Sequence, residues 1–266
     1  MREKITVYSW NMLFRNKELD RAFEFIRNAN FDIFCLQEVP EEFLARLKTL
    51  PYHLAETIDA ERLFQKIYRT HLVVLSRHAI LQYSAVSFAD YWRELPWRAK
   101  LLTRVLRPLG WSRLQNRNGL CVDIATPGGT VRLFNLHLTL ATPARRVREF
   151  EQAMAERDPD LPTIVCGDFN IVESPRVSLL NWLLGGTLGE AMRYGRERLH
   201  IEQRFIEHEL VNPLRGRSTH AFAESQLDHI LVSPQFSIDD TEVVAERYGS
   251  DHHPIRAQIS PRSAAE

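Results

Sequence analysis

A chain of 266 residues with 44% hydrophobic and 26% charged residues has an ordinary globular composition, which argues against disorder and against a membrane span. Its 34 basic residues balance its 34 acidic ones, so any polyanionic partner must be drawn by a local patch rather than by the whole molecule. The opening residues, Met1-Arg2-Glu3-Lys4-Ile5-Thr6-Val7-Tyr8, carry neither an apolar signal region nor a twin-arginine motif, which points to the cytoplasm.

Ile5–Trp10 alternates as a strand, and Leu19–Asn28 follows as a helix with Leu19, Ala22, Phe23 and Ile26 at helical spacing. Phe31–Gln37 is apolar almost throughout and reads as a strand buried on both faces. Glu41–Leu50 reads as a helix stopped by Pro51, which lacks an amide donor and disfavours helical geometry before it. His71–Ser76 is a strand. Leu120–Ala125 and Val131–Leu138 are hairpin partners across the Pro127-Gly128-Gly129-Thr130 turn. Pro143–Glu156 is an amphipathic helix, Pro162–Cys166 a buried strand ending at Gly167, and Leu227–Val232 and Pro254–Ile259 are late strands. No repeat, low-complexity tract or linker interrupts this alternation, so residues 1–262 read as one domain. Cys35, Cys121 and Cys166 are odd in number and lie in strand-like runs without metal-binding spacing, which makes them buried reduced thiols.

Polar residues recur where these strands end, and strand ends that converge on one rim can assemble a site from distant segments. Six segments have this form: Ser9-Trp10-Asn11, Gln37-Glu38-Val39, Asn135-Leu136-His137-Leu138, Gly167-Asp168-Phe169-Asn170, Leu227-Asp228-His229-Ile230 and Ser250-Asp251-His252-His253-Pro254. Taken singly each has an ordinary reading. Glu38 is compatible with a surface carboxylate at a strand exit, Gly167–Asn170 with an Asx turn, and His252 with a structural histidine. Together, Asn11, Glu38 and Asp251 offer the hard oxygen donors that suit Mg²⁺. His252 follows Asp251 and has a candidate orienting carboxylate in Asp228, and an imidazolium so held supplies positive charge and hydrogen-bond donors.

In order and content the six segments resemble the endonuclease/exonuclease/phosphatase superfamily, from Tyr8 to Ile255. The resemblance implies a four-layer α/β sandwich, in which two mainly antiparallel sheets pack face to face between helices. It implies a Mg²⁺-dependent hydrolase of phosphoesters, with Mn²⁺ as a substitute. Glu38 becomes the principal metal ligand, with Asn11 and Asp251 beside it and Gln37 in support. Asp168 orients or deprotonates the attacking water, and Asn170 holds the phosphate or assists that positioning. Asp228 pairs with His252, and His137 stands near the phosphate. His229 and His253 fall outside the catalytic set, and Asn118 is expected near the same rim.

Substrate choice points to residues 90–117, where Arg93, Arg98, Lys100, Arg104, Arg107, Arg113 and Arg117 accompany Trp92, Trp97 and Trp111 against Asp90 and Glu94. Basic residues interleaved with aromatics suit nucleic acid. The same stretch, through Leu101, Leu102, Val105, Leu106 and Leu109, suits peripheral contact of 92–111 with an anionic membrane surface, and a packed helix with a solvated basic face is the plain alternative. Arg145, Arg146 and Arg148 could extend the positive region. A phosphodiesterase acting on nucleic acid is the favoured expectation; a hydrolase of phospholipid headgroups or small phosphate esters is the second, and a silent binding protein the third.

Overall fold

The computed structural model describes residues 4–63, 67–106, 113–140, 142–171, 196–222 and 225–262. Among the described residues, twelve strands form two sheets. The first sheet takes β1 (Ile5–Asn11), β2 (Ile33–Pro40), β3 (His53–Leu63), β4 (Ile67–Ser76), β6 (Arg113–Gln115), β11 (Phe236–Val243) and β12 (Ile255–Pro261), in the order β11-β12-β1-β2-β4-β3-β6. The second takes β5 (Ile80–Ser87), β7 (Asn118–Thr126), β8 (Gly129–His137), β9 (Thr163–Asp168) and β10 (Asp228–Val232), in the order β10-β9-β8-β7-β5. Only β1–β2 and β8–β9 pair in parallel; the other described ladders are antiparallel.

Three apolar cores explain the layering. Val7, Cys35 and Val74 of the first sheet meet Leu120, Leu133 and Ile164 of the second to form the inter-sheet core. On the outer face of the first sheet, Trp10, Phe34 and Leu36 pack with Ala22 and Ile26 of α1 (Leu19–Asn28) and Phe43 of α2 (Glu41–Leu47). On the outer face of the second, Phe134 and Phe169 pack with Phe150 of α5 (Pro143–Met154) and with Ile201 and Phe205 of α6 (Arg196–Glu207). The result is the expected four-layer sandwich, and β2 is buried along its whole length, as its apolar sequence requires. All three cysteines are free and buried. Among the described residues no helix is long and apolar enough to cross a membrane.

Several boundaries differ from expectation. The second helix ends at Leu47, and the chain then tightens through Thr49 N to Arg46 O and Leu50 N to Leu47 O bonds, three-residue closures that commonly finish a helix. The insertion is built from α3 (Tyr91–Glu94), α4 (Trp97–Val105) and β6; Arg107, Leu109 and Trp111 lie outside the described residues. Its ends are anchored beside the site described below: Ser87 pairs with Asn118, and Phe88 N donates to Arg117 O. Arg117 and Arg146 are not surface cations, as the sequence suggested. Both are buried, Arg117 against Glu149 and the His137 carbonyl and Arg146 against Glu197 and the Thr139 carbonyl. Burying a guanidinium requires such paired acceptors.

Candidate active site

Strand register explains how the distant segments meet. On the second sheet His137 pairs with Asp168 across β8–β9, and Asp168 with Asp228 across β9–β10, so three polar side chains stand side by side. On the first sheet Asn11 pairs with Gln37 at the end of β1 and β2. Asn11 Nδ2 then crosses between the sheets to donate to Asp168 Oδ2 at 2.9 Å. Behind it, Gln37 Nε2 donates to Asn135 Oδ1 at 2.8 Å, and Asn135 returns donors to the Leu36 and Val73 carbonyls. Gln37 thus stitches the sheets together under Glu38.

Irregular backbone aims the carboxylates. The β2–β4 register slips between Leu36 and Val39, and Glu38 sits there at a φ of 55°. The β3–β4 register slips between Ile58 and Ala60, leaving Asp59 as the extra residue. Bulges of this kind re-aim side chains that plain alternation would send elsewhere. Asn170 also has a positive φ, 52°. Gly167 is required by its surroundings, since at φ +138° a Cβ would lie 1.8 Å from the Leu136 carbonyl oxygen. The loop carrying Asp251 and His252 is tied to β1 through Ser250 Oγ to Asn11 O at 2.7 Å and Trp10 Nε1 to His252 O at 3.2 Å.

The contacts form a continuous line. His137 Nε2 lies 3.9 Å from Glu38 Oε1 and 3.8 Å from Asp168 Oδ2; His252 Nε2 lies 3.7 Å from the same Asp168 oxygen and 3.9 Å from Asp251 Oδ1. Each imidazole is held from behind by a buried carboxylate. His252 Nδ1 meets Asp228 Oδ2 at 2.9 Å, and His137 Nδ1 meets Asp59 at 3.0 and 2.9 Å. Asp168 is fixed further by Asn170 N, which donates to Oδ1 at 2.8 Å, while Asn170 Nδ2 donates to the Leu138 carbonyl.

The electrostatics follow from these partners. Burial works against charge on both rings, but the carboxylates outweigh it: Asp59, then Asp168 and Glu38, push His137 up to about 9, and Asp228 and Asp168 push His252 up to about 10. Burial raises the Asp168 carboxyl despite the nearby imidazoles. For Asp59 burial is the largest influence and is overcome by His137, which holds the carboxyl below its ordinary value. Asp251 is also lowered, burial being offset by its bond to His220 and the charge of His252. Five carboxylates, Glu38, Asp59, Asp168, Asp228 and Asp251, gather around His137, His252 and Arg62, which bonds Glu38 at 2.7 Å. Acidic groups outnumber basic ones in this cluster. Asp251 Oδ1 is buried and accepts no hydrogen bond, and three ligand atoms from His220, Asp251 and His252 lie within 4.8 Å of one another. A divalent cation fits both deficits.

All eight residues singled out in the sequence lie in this line or hydrogen-bond to it. Asn118 is adjacent, donating to the Ile58 carbonyl at 2.8 Å beside Asp59. His229 is a core aromatic instead, stacked on Phe169 at 4.7 Å, and burial holds it neutral at about 3. The His253 ring bonds the Val244 carbonyl at 2.9 Å, and its amide donates to the Thr219 carbonyl. Four contributors were missed: Asp59, Arg62, His220 (Nε2 3.6 Å from Asp251) and Thr219, whose hydroxyl donates to Asp228 at 2.7 Å and accepts from the Leu227 and Asp228 amides. An acid within the Thr57-Ile58-Asp59-Ala60 run was the available signal for the first.

Comparison with known proteins agrees. A protein of Beutenbergia cavernae DSM 12333 described as an endonuclease/exonuclease/phosphatase is 18% identical, with a TM-score of 0.71 over 99% of this chain and 73% of that one. Mannosyl-6-phosphatase Bt3783 of Bacteroides thetaiotaomicron VPI-5482 is 18% identical, with a TM-score of 0.58 over 96% and 99%. The Neisseria 3′ phosphatase NExo, bound to a product DNA hairpin, is 18% identical, with a TM-score of 0.56 over 95% and 98%. At such identity the likeness is one of fold. No curated protein matches the chain. The profile described as the Endonuclease/Exonuclease/phosphatase family matches residues 8–252, and the chain belongs to that family of phosphoester hydrolases.

Proposed function

We propose that residues 1–262 act as one catalytic domain that hydrolyses phosphoesters with a divalent cation, Mg²⁺ or in its place Mn²⁺, held by Glu38 and Asp251 with Asn11 beside them. The carrying observation is Asp168 Oδ2, set 3.8 and 3.7 Å from two imidazole Nε2 atoms whose Nδ1 atoms both rest on buried carboxylates. When bound, the cation supplies positive charge to a phosphate oxygen. Asp168 accepts the proton of the attacking water; burial raises its basicity, and Asn11 with the Asn170 amide fixes its orientation. His137 and His252 present protonated Nε2 groups to the nonbridging oxygens, where charge develops, with Asp59 and Asp228 as their positioning residues. Asn170 completes the phosphate-facing group.

The test is hydrolysis of bis(p-nitrophenyl) phosphate with Mg²⁺ and with EDTA. Metal-dependent turnover that Asp168→Ala abolishes supports the reading; turnover that survives EDTA, or a fully active variant, overturns it.

For the natural substrate, the DNA-bound Neisseria phosphatase of the same fold supports nucleic acid. One observation favours a second reading, the headgroup of a phospholipid. Along α4, Trp97, Leu101 and Val105 recur every fourth residue and are 76%, 52% and 62% exposed, with Arg93 and Arg104 exposed nearby. Leucine and valine insert between lipids but cannot stack on bases. Abasic duplex, single-stranded DNA, RNA, sphingomyelin vesicles and inositol phosphates, assayed side by side with Mg²⁺, separate the two.

A further inference from the structure

Arg62 is the cation of the site that the hydrolytic scheme leaves unused. Its Nη2 donates to Glu38 Oε1 at 2.7 Å, with both side chains largely buried. Its guanidinium carbon lies 4.1 Å from the centre of the Phe14 ring, and the Phe14 amide donates to the other Glu38 oxygen at 3.0 Å. Phe14 therefore braces both partners of the ion pair. The backbone of Arg62 is held on both sides, by Tyr68 on β4 and Leu114 on β6, so movement is confined to the side chain.

Two features bear on this pair. Arg62 Nε is buried and has no hydrogen-bond partner, as is also true of Nη2 of the structural Arg146, so the guanidinium keeps a donor for a further acceptor. The carboxylate it occupies is also the one assigned to the metal. A guanidinium and a divalent cation that share one carboxylate set three positive charges against a single negative one, and a second anion between them relieves the repulsion. A phosphate group is such an anion, and the planar fork of an arginine matches two of its oxygens.

We propose that Arg62 recognises the phosphate of the substrate and makes cation binding at Glu38 conditional on it. Without phosphate the guanidinium neutralises Glu38 and opposes the cation. With phosphate present the unpaired Nε and its neighbouring N–H groups turn to the nonbridging oxygens and leave Oε1 to the cation. By linkage, phosphate tightens cation binding and the cation tightens phosphate binding by the same factor. The inference rests on the proposed role of Glu38.

Mn²⁺ affinity, measured by the paramagnetic resonance of free Mn²⁺ with and without methylphosphonate, tests this without any turnover. In the wild type, methylphosphonate is expected to tighten Mn²⁺ binding at least about five-fold. Arg62→Met is expected to bind Mn²⁺ alone about five-fold more tightly than the wild type, with the phosphonate effect reduced below about two-fold. Should Arg62→Met fail to fold, Arg62→Lys keeps the charge and loses the fork, and its phosphonate effect is expected to fall by about half or more. Arginine variants that retain wild-type Mn²⁺ affinity and wild-type coupling overturn the proposal, provided Glu38→Gln loses Mn²⁺. A wild type that binds Mn²⁺ no better than Glu38→Gln instead overturns the Glu38 assignment, and Arg62's role falls with it.

Discussion

His252 and His137 reach the same carboxylate with differently sourced parts. His252 comes from the loop before β12 and rests on Asp228 of β10, only 24 residues away in sequence. His137 ends β8 and rests on Asp59 of β3, in the opposite sheet and 78 residues away. Both rings end up charged and facing the same Asp168 oxygen. His229, just as buried, bonds the Leu227 carbonyl and stacks on Phe169, and burial together with the Arg198 charge keeps it neutral. Burial, aided here by a neighbouring cation, thus empties an imidazole of its proton, and a carboxylate partner reverses the outcome. Fold position decides which of the two a histidine receives.

The largest effect comes from removing what the two pairs share. Asp168→Ala is expected to lower kcat by about 10³-fold or more, measured on bis(p-nitrophenyl) phosphate; a loss below ten-fold means that neither ring works through that carboxylate. The comparison itself is tested by Asp59→Asn and Asp228→Asn, each expected to lower kcat/KM by about 10²-fold. An inert Asp59→Asn beside a damaging Asp228→Asn breaks the equivalence and leaves His252 as the only charged donor.

That pair of variants also marks where sequence reasoning stops. Asp228 and His252 sit in motifs whose residues are contiguous and whose strands are apolar, so pattern and resemblance both find them. Asp59 lies at a bulge in a strand reading His-Leu-Ala-Glu-Thr-Ile-Asp-Ala-Glu-Arg-Leu, where the period-two alternation that identifies strands is broken by the same irregularity that aims the side chain. Arg62 and Thr219 are invisible for a related reason: each acts through a partner fixed only by tertiary packing. The four-layer fold was legible from motif order, while β3 and α6, rich in polar residues, and β5 and β11, mostly exposed edge strands, were not, since none carries the continuous apolar run that marks a buried strand. In the insertion Arg93 and Arg104 are exposed as expected, and Arg117 is the exception, since its guanidinium faces Glu149 rather than solvent.

Smaller effects separate the charged rings from the neutral one. His137 and His252 are raised to about 9 and about 10, above the roughly 6.5 of an unfolded imidazole. The stability they contribute is therefore complete below about pH 6.5 and lost as pH rises through about 9 and then 10. The metal-free wild type should lose more melting temperature between pH 8 and 10.5 than the Asp59→Asn/Asp228→Asn double variant; equal losses contradict the assignment. His229 carries the opposite sign. Its folded value, about 3, lies below the unfolded one, so the unfolded chain binds the extra proton and stability falls as pH drops from about 6.5 toward 3. His229→Phe keeps the stack on Phe169 and should narrow the difference in melting temperature between pH 7.5 and 5 by a few degrees; an unchanged difference removes His229 from the acid response.

Two imidazolium rings beside one buried aspartate are the centre of the account, and long-range ¹H–¹⁵N NMR of the histidine side chains in the metal-free protein at pH 8 observes them directly. His137 and His252 should show both ring nitrogens protonated, and His229 the neutral ring with its proton on Nδ1. Neutral rings at 137 and 252 would contradict the account.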